Sequence, residues 1–151
     1  MQLAKRAGAE VVATASPRSA AAVLANGAGQ VVDHTRETVL DAVQEPVDVL
    51  LDLAPITAES FVAMAALVRD GGVVVSTTPM VATPGDASRG VRAETIFVHP
   101  DRRTLADLVA LVDTGDLRVE IADRVPLEQL PGLHWRADAG EVRGKVVVLP
   151  A

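Results

Sequence analysis

Twenty carboxylates, three histidines and no cysteine are what this 151-residue chain offers for chemistry. Without cysteine there is no thiolate nucleophile, no disulfide and no Cys-ligated zinc. His34, His99 and His134 lack the short spacing of zinc-binding pairs, so no metal is expected. No serine lies in a G-x-S-x-G turn, so hydrolase chemistry has no support. Asp48 and Asp52 fall on one face of a strand-like run, where a solvated pair is expected rather than an acid/base dyad. Binding chemistry remains. Ser16-Pro17-Arg18 sets a hydroxyl and a cation at the start of a helical stretch. Arg18 there opposes the helix dipole, a conflict that a bound phosphate would resolve. The plainer reading makes Ser16 an N-cap and Arg18 a solvated first-turn residue.

The elements that would position these groups alternate along the chain. Short Val-rich strands are expected at 10–15, 30–33, 47–53, 73–76 and 93–98. Helical stretches separate them. One is opened by Pro17 and runs to Ala25, one is capped by Thr35, and one spans 56–68 and stops at Asp70-Gly71-Gly72. Residues 77–90, rich in Thr, Pro and Gly, form a loop of ligand-binding length. An amphipathic helix over 101–113 follows. A strand at 121–125, a helix over 127–139 and a strand at 145–149 complete the pattern, with His134-Trp135 expected to pack. Strands without polar alternation, joined by helices, predict an α/β fold: a doubly wound parallel sheet covered on both faces.

Composition sets further bounds. A net charge of −6 and no Lys/Arg-rich stretch exclude a nucleic-acid partner. No apolar run reaches the roughly 20 residues of a membrane helix, and the first nine residues are too polar for a signal peptide. A cysteine-free chain fits a reducing cytoplasm, the expected location.

Six segments, in order, carry a resemblance. They are residues 2–16 (QLAKRAGAEVVATAS), 26–34 (NGAGQVVDH), 47–54 (VDVLLDLA), 70–77 (DGGVVVST), 97–101 (FVHPD) and 140–149 (GEVRGKVVVL). Together they resemble the C-terminal part of the medium-chain dehydrogenase/reductase superfamily, of the NADPH:quinone oxidoreductase type. The resemblance implies an incomplete Rossmann-type sheet, without its first strand and glycine-rich turn, and with a C-terminal α+β tail. Residues 1–116 would be a partial nucleotide-binding domain, and 117–151 a tail that in relatives packs on an N-terminal catalytic domain.

The same resemblance implies the cofactor and its contacts. Ser16 and Arg18, with no acid beside them, would favour the 2′-phosphate of NADP(H), with His34 near the same phosphate. Leu53, Ala54, Ser76, Thr77, Phe97 and Val98 would face the nicotinamide. Ala54-Pro55 and Thr77-Thr78 stand where the family often has Gly-Gly, which adds bulk there. A core role for Phe97 and no role for His34 are the plainer alternatives. No residue earns a catalytic role. The implied function is the cofactor-binding portion of a zinc-independent reductase of a small quinone or enone. The alternative is a non-catalytic remnant, an interaction module or a repurposed small enzyme. Open strand edges would call for a homo-oligomer or a complementing N-terminal fragment.

Overall fold

A computed structural model describes residues 1–142 and 144–150. Arg143, within the 140–149 segment, and Ala151 lie outside the described residues. The chain divides into two units, Met1–Arg102 and Arg103–Ala151.

The first unit opens with helix α1 (Gln2–Arg6), strand β1 (Val12–Ala15), helix α2 (Ala20–Ala25) and strand β2 (Gln30–Asp33). β1 and β2 pair in parallel, Val12 opposite Gln30 and Ala15 opposite Asp33. Gln2 Nε2 donates to Asn26 Oδ1 at 2.9 Å, which ties α1 to the end of α2. Gly27, at φ +102°, then turns the chain out of the helix.

Two expected caps move. Pro17 does not open α2, because the Ser19 and Ala20 amides both donate to the Ser16 carbonyl and close a turn first. Ser19, not Ser16, stands at the N-cap position, and Arg18 precedes the helix. Thr35 caps nothing: its amide and hydroxyl both donate to Asp33. Thr38 instead caps the single-turn helix α3 (Val39–Ala42), accepting the Asp41 amide at 3.2 Å.

Strand β3 (Val47–Asp52), helix α4 (Ala58–Ala65), strand β4 (Val68–Ser76) and strand β5 (Arg92–Thr95) follow. They form a three-stranded parallel sheet in the order β3-β4-β5. Thr57 caps α4 by accepting the Ser60 amide. α4 delivers Phe61, fully buried, onto a cluster of Val68, Val74 and Val91, with Val47, Leu50, Ile56, Ala65 and Val81 at its rim. β4 is longer than expected. It runs through Asp70-Gly71-Gly72 rather than starting after them. The register shifts between Val47 and Val49, so β4 spends extra residues opposite Asp48. Gly71 takes φ +76° in that irregularity, and a Cβ on Gly72 would lie 2.5 Å from Val68 Cγ1 and 2.8 Å from the Asp48 carbonyl.

Strand alternation sends Leu50, Asp52, Val74 and Ser76 inward, while Val49 and Leu51 remain 52% and 53% exposed. Val73 and Val75, on the same face as Val49 and Leu51, are half-buried, so among the described residues this face is only partly covered. Neither β1 nor β3 has a strand on its second edge among the described residues.

Helix α5 (Arg102–Asp113), which opens the second unit from its second residue on, ends near Gly115, at φ +79°. Strand β6 (Ile121–Pro126), a 3-10 turn (Leu127–Gln129), helix α6 (Leu130–Asp138) and strand β7 (Lys145–Leu149) form a β-α-β unit with β6 and β7 parallel. Leu130 and Leu133 form the half-buried row of α6; Trp135 lies off it and is 76% exposed, so it does not pack as expected. Every strand ladder among the described residues is parallel, and the fold is α/β, resembling an incomplete Rossmann-type topology.

The buried contacts give a direct test. Phe61→Ala should cost about 3–5 kcal/mol of stability, and Gly72→Ala about 1–3 kcal/mol from overpacking. Urea unfolding monitored by circular dichroism reads both.

Candidate functional site

In open parallel sheets, ligands bind beyond the carboxyl ends of the strands. Asp52, Ser76 and Thr95 end β3, β4 and β5 at matching register positions. The three exit segments therefore leave from one end of one sheet. Leu53, Ala54, Ser76, Thr77, Phe97 and Val98 come together there. Leu53 and Ala54 are exposed, Thr77 is half-buried and Ser76 is fully buried. The Ile96 amide makes a ladder-like bond to the Ser76 carbonyl at 2.8 Å. Beyond it Phe97 and Val98 stand out into solvent, and Phe97 is no core aromatic.

Beneath these exits lies a hydrogen-bond network that joins residues named only separately from the sequence. Asp52 is buried, and its Oδ2 accepts the Ser76 hydroxyl at 3.1 Å and the Thr78 hydroxyl at 3.2 Å. Its Oδ1 takes the Ala54 amide at 3.4 Å, and its backbone carbonyl takes the Thr77 amide at 3.1 Å. Asp48 and Asp52 are thus not a solvated pair. Asp48 alone is solvated, in an ion pair with Arg69. The available signal was the hydroxyl pattern Ser76-Thr77-Thr78, one strand over from an acid that ends an apolar run.

A second group forms at the ends of β1 and β2. The His34 amide donates to the Ala15 carbonyl at 3.2 Å, which sets His34 beside Ser16. Ser16 is half-buried; Arg18 and His34 are exposed. This group stands on a separate sheet from the first. Asp33 lies next to it, and its charge is engaged: the Thr35 hydroxyl donates at 2.6 Å and Arg36 lies at 3.4 Å. The Thr35 hydroxyl is the main cause that holds the Asp33 carboxyl below its ordinary range. The Thr35 amide and the charges of Arg36 and His34 add to it, and desolvation opposes it.

For a dinucleotide, these groups supply a hydroxyl, a cation and a histidine at one place and exposed strand exits at another. Between them a pyrophosphate needs a cradle of backbone amides. The sequence holds no G-x-G-x-x-G, and the Thr57 side chain already takes the Ser60 amide at the start of α4. The fit is therefore partial. Among the described residues, no group of three or more His, Asp or Glu side chains could hold a metal ion, and no helix is long and apolar enough to cross a membrane.

A cavity of about 500 Å³ lies at the opposite end of the sheet, lined in part by Pro46, Leu67, Arg69, Asp70 and Arg89. Its charges serve the fold. Arg89 pairs with Asp70 at 2.9 Å and also donates to the Val68 carbonyl, and Arg69 pairs with Asp48.

Residues 26–148 match the family of zinc-binding dehydrogenases. No curated protein matches the chain. Among solved structures, the quinone oxidoreductase from Coxiella burnetii is similar at 29% identity and a TM-score of 0.83, over 97% of this chain and 47% of that one. A quinone oxidoreductase from Pseudomonas syringae has 20% identity and a TM-score of 0.73, over 99% of this chain and 51% of its own. A mycobacterial protein solved in complex with NADPH has the same identity, TM-score and coverage, 20%, 0.73, 99% and 51%. The chain spans about half the length of these structures.

The Asp33 interactions predict a pH response. A carboxyl depressed in the folded state adds stability above its unfolded pKa and loses it as pH falls through the folded value. In an NMR titration, Asp33 should protonate below the usual Asp range, and Thr35→Val should move its midpoint upward.

Proposed function

The chain belongs to the zinc-binding dehydrogenase family, within the medium-chain dehydrogenase/reductase superfamily, and from that premise we propose that it is the cofactor-binding portion of an NADPH-dependent quinone or enone reductase. The convergence of Leu53, Ala54, Thr77, Phe97 and Val98 at one end of the β3-β4-β5 sheet carries the reading. Two relatives named as quinone oxidoreductases and one solved with NADPH support it. In this reading NADPH supplies hydride to a small acceptor, and the chain supplies position. Ser16, Arg18 and His34 hold the 2′-phosphate; Leu53, Ala54, Ser76, Thr77, Phe97 and Val98 shape the nicotinamide end. No zinc takes part. The cysteine-free sequence suits a reducing cytoplasm. The domain boundary of the reading falls at 116/117, with 117–151 docking on a catalytic domain.

The open edges of β1 and β3 call for a partner strand, from a complementing N-terminal segment or a second copy. A second reading, a non-catalytic module that keeps the fold, is favoured by Ala54-Pro55 and Thr77-Thr78, which add bulk where the family often has Gly-Gly. Titration followed by nicotinamide fluorescence separates the two. NADPH should bind more tightly than NADH, and Arg18→Ala should weaken NADPH about tenfold while sparing NADH, as expected for one lost charge-assisted contact. A chain that binds neither dinucleotide supports the second reading.

A further inference from the structure

Asp52 and Ser76 are the buried polar residues of the described core. A buried carboxylate is costly unless its lone pairs are satisfied. Asp52 is satisfied without a cation. Ser76 and Thr78 donate their hydroxyls to Oδ2, at 3.1 and 3.2 Å, and Ala54 its amide to Oδ1. Ser76 Oγ in turn accepts the Thr78 amide at 3.1 Å. One carboxylate thus ties the exit of β3 to the exit of β4.

The location separates this network from ordinary core packing. The rest of the cluster under the sheet is apolar: Phe61, Val68, Val74 and Val91. An apolar pair at Asp52 and Ser76 would hold the strands as well, since exchanging both partners of a buried polar contact for apolar groups can be nearly neutral. Directional bonds add a fixed shape for the turn at residues 76–78. That turn opens where the exposed exits converge.

We infer that Asp52 is a positioning residue for the dinucleotide: through the Ser76 and Thr78 hydroxyls it fixes the turn that meets the nicotinamide end. Asp52 acts through its neighbours and is too deep to touch the ligand. The inference rests on the NADPH-binding reading above.

Asp52→Asn keeps the volume but replaces one acceptor oxygen with a donor, and should weaken NADPH binding. Because that change also unsettles a buried site, the decisive pair is Thr78→Val and Thr78→Ser in the full chain. Thr78→Val removes one hydroxyl donor and should weaken NADPH by up to about tenfold, the worth of one charge-assisted hydrogen bond being the upper limit because the contact already exists in the ligand-free chain. Thr78→Ser restores the hydroxyl and should restore affinity; Thr78→Val should also melt lower for its lost buried contact, so affinities are read at a temperature where both variants are folded. Unchanged NADPH affinity in Thr78→Val, or equal losses in both variants, overturns the inference alone. A wild-type chain that binds no NADPH overturns both the inference and the function reading.

Discussion

The parallel pairing of β3 with β4, clamped from one side by Phe61, is the contact on which the first unit depends. The pairing brings Leu50 beside Val74 and Asp52 beside Ser76. It therefore sets an apolar floor and, at its carboxyl end, a polar one. Phe61 reaches this floor because Thr57 fixes where α4 begins. In a chain whose aromatics amount to 2% of residues, one buried ring has no substitute. Val, Ala, Leu50 and Ile56 side chains supply the remaining contacts, and none is aromatic. Losing one large anchor therefore removes more of the core than it would in an aromatic-rich protein.

Much of this was legible in the residues. Unbroken Val runs gave the strands, and 30–33 and 145–149 match β2 and β7 end to end. The parallel α/β class followed from the missing polar alternation. What escaped was chemistry between neighbours. Ser16 and Thr35 look like caps by type, but each finds a nearer partner, Ser19 and Asp33, and the helix starts later. Asp70-Gly71-Gly72 reads as a stop, but β3 needs a bulge opposite Asp48 and the glycines supply it. His134-Trp135 reads as a packing pair, whereas helical spacing puts Trp135 outside the Leu130–Leu133 row.

Of the candidate site, residues 53–54, 76–77 and 97–98 are named by the family resemblance; the apolar pattern alone runs the fifth strand to 98, whereas β5 stops at Thr95. The Asp52 network joins residues 24 and 26 positions apart, and no local pattern announces that register. A strand-end acid reads as solvated until a neighbouring strand is known to bring hydroxyls over it. At Ser16 and His34 the neighbour is parallel β2, and the one-residue offset of His34 against Ala15 likewise comes from pairing rather than spacing.

The passage from β4 to β5 crosses without a helix, held by an isolated bridge between Asp86 and Val91 and by a hydroxyl contact between Thr83 and Thr95 at 2.6 Å. All four residues of β5 are exposed. Few buried contacts and solvent-facing backbone bonds mark a segment that opens well below the global unfolding free energy. β5 can therefore fray from the sheet as a sub-global event, while Val91, just before it, stays packed with Phe61. Such breathing would let Phe97 swing with its strand, so that the spacing of the strand exits fluctuates independently of the buried floor beneath them.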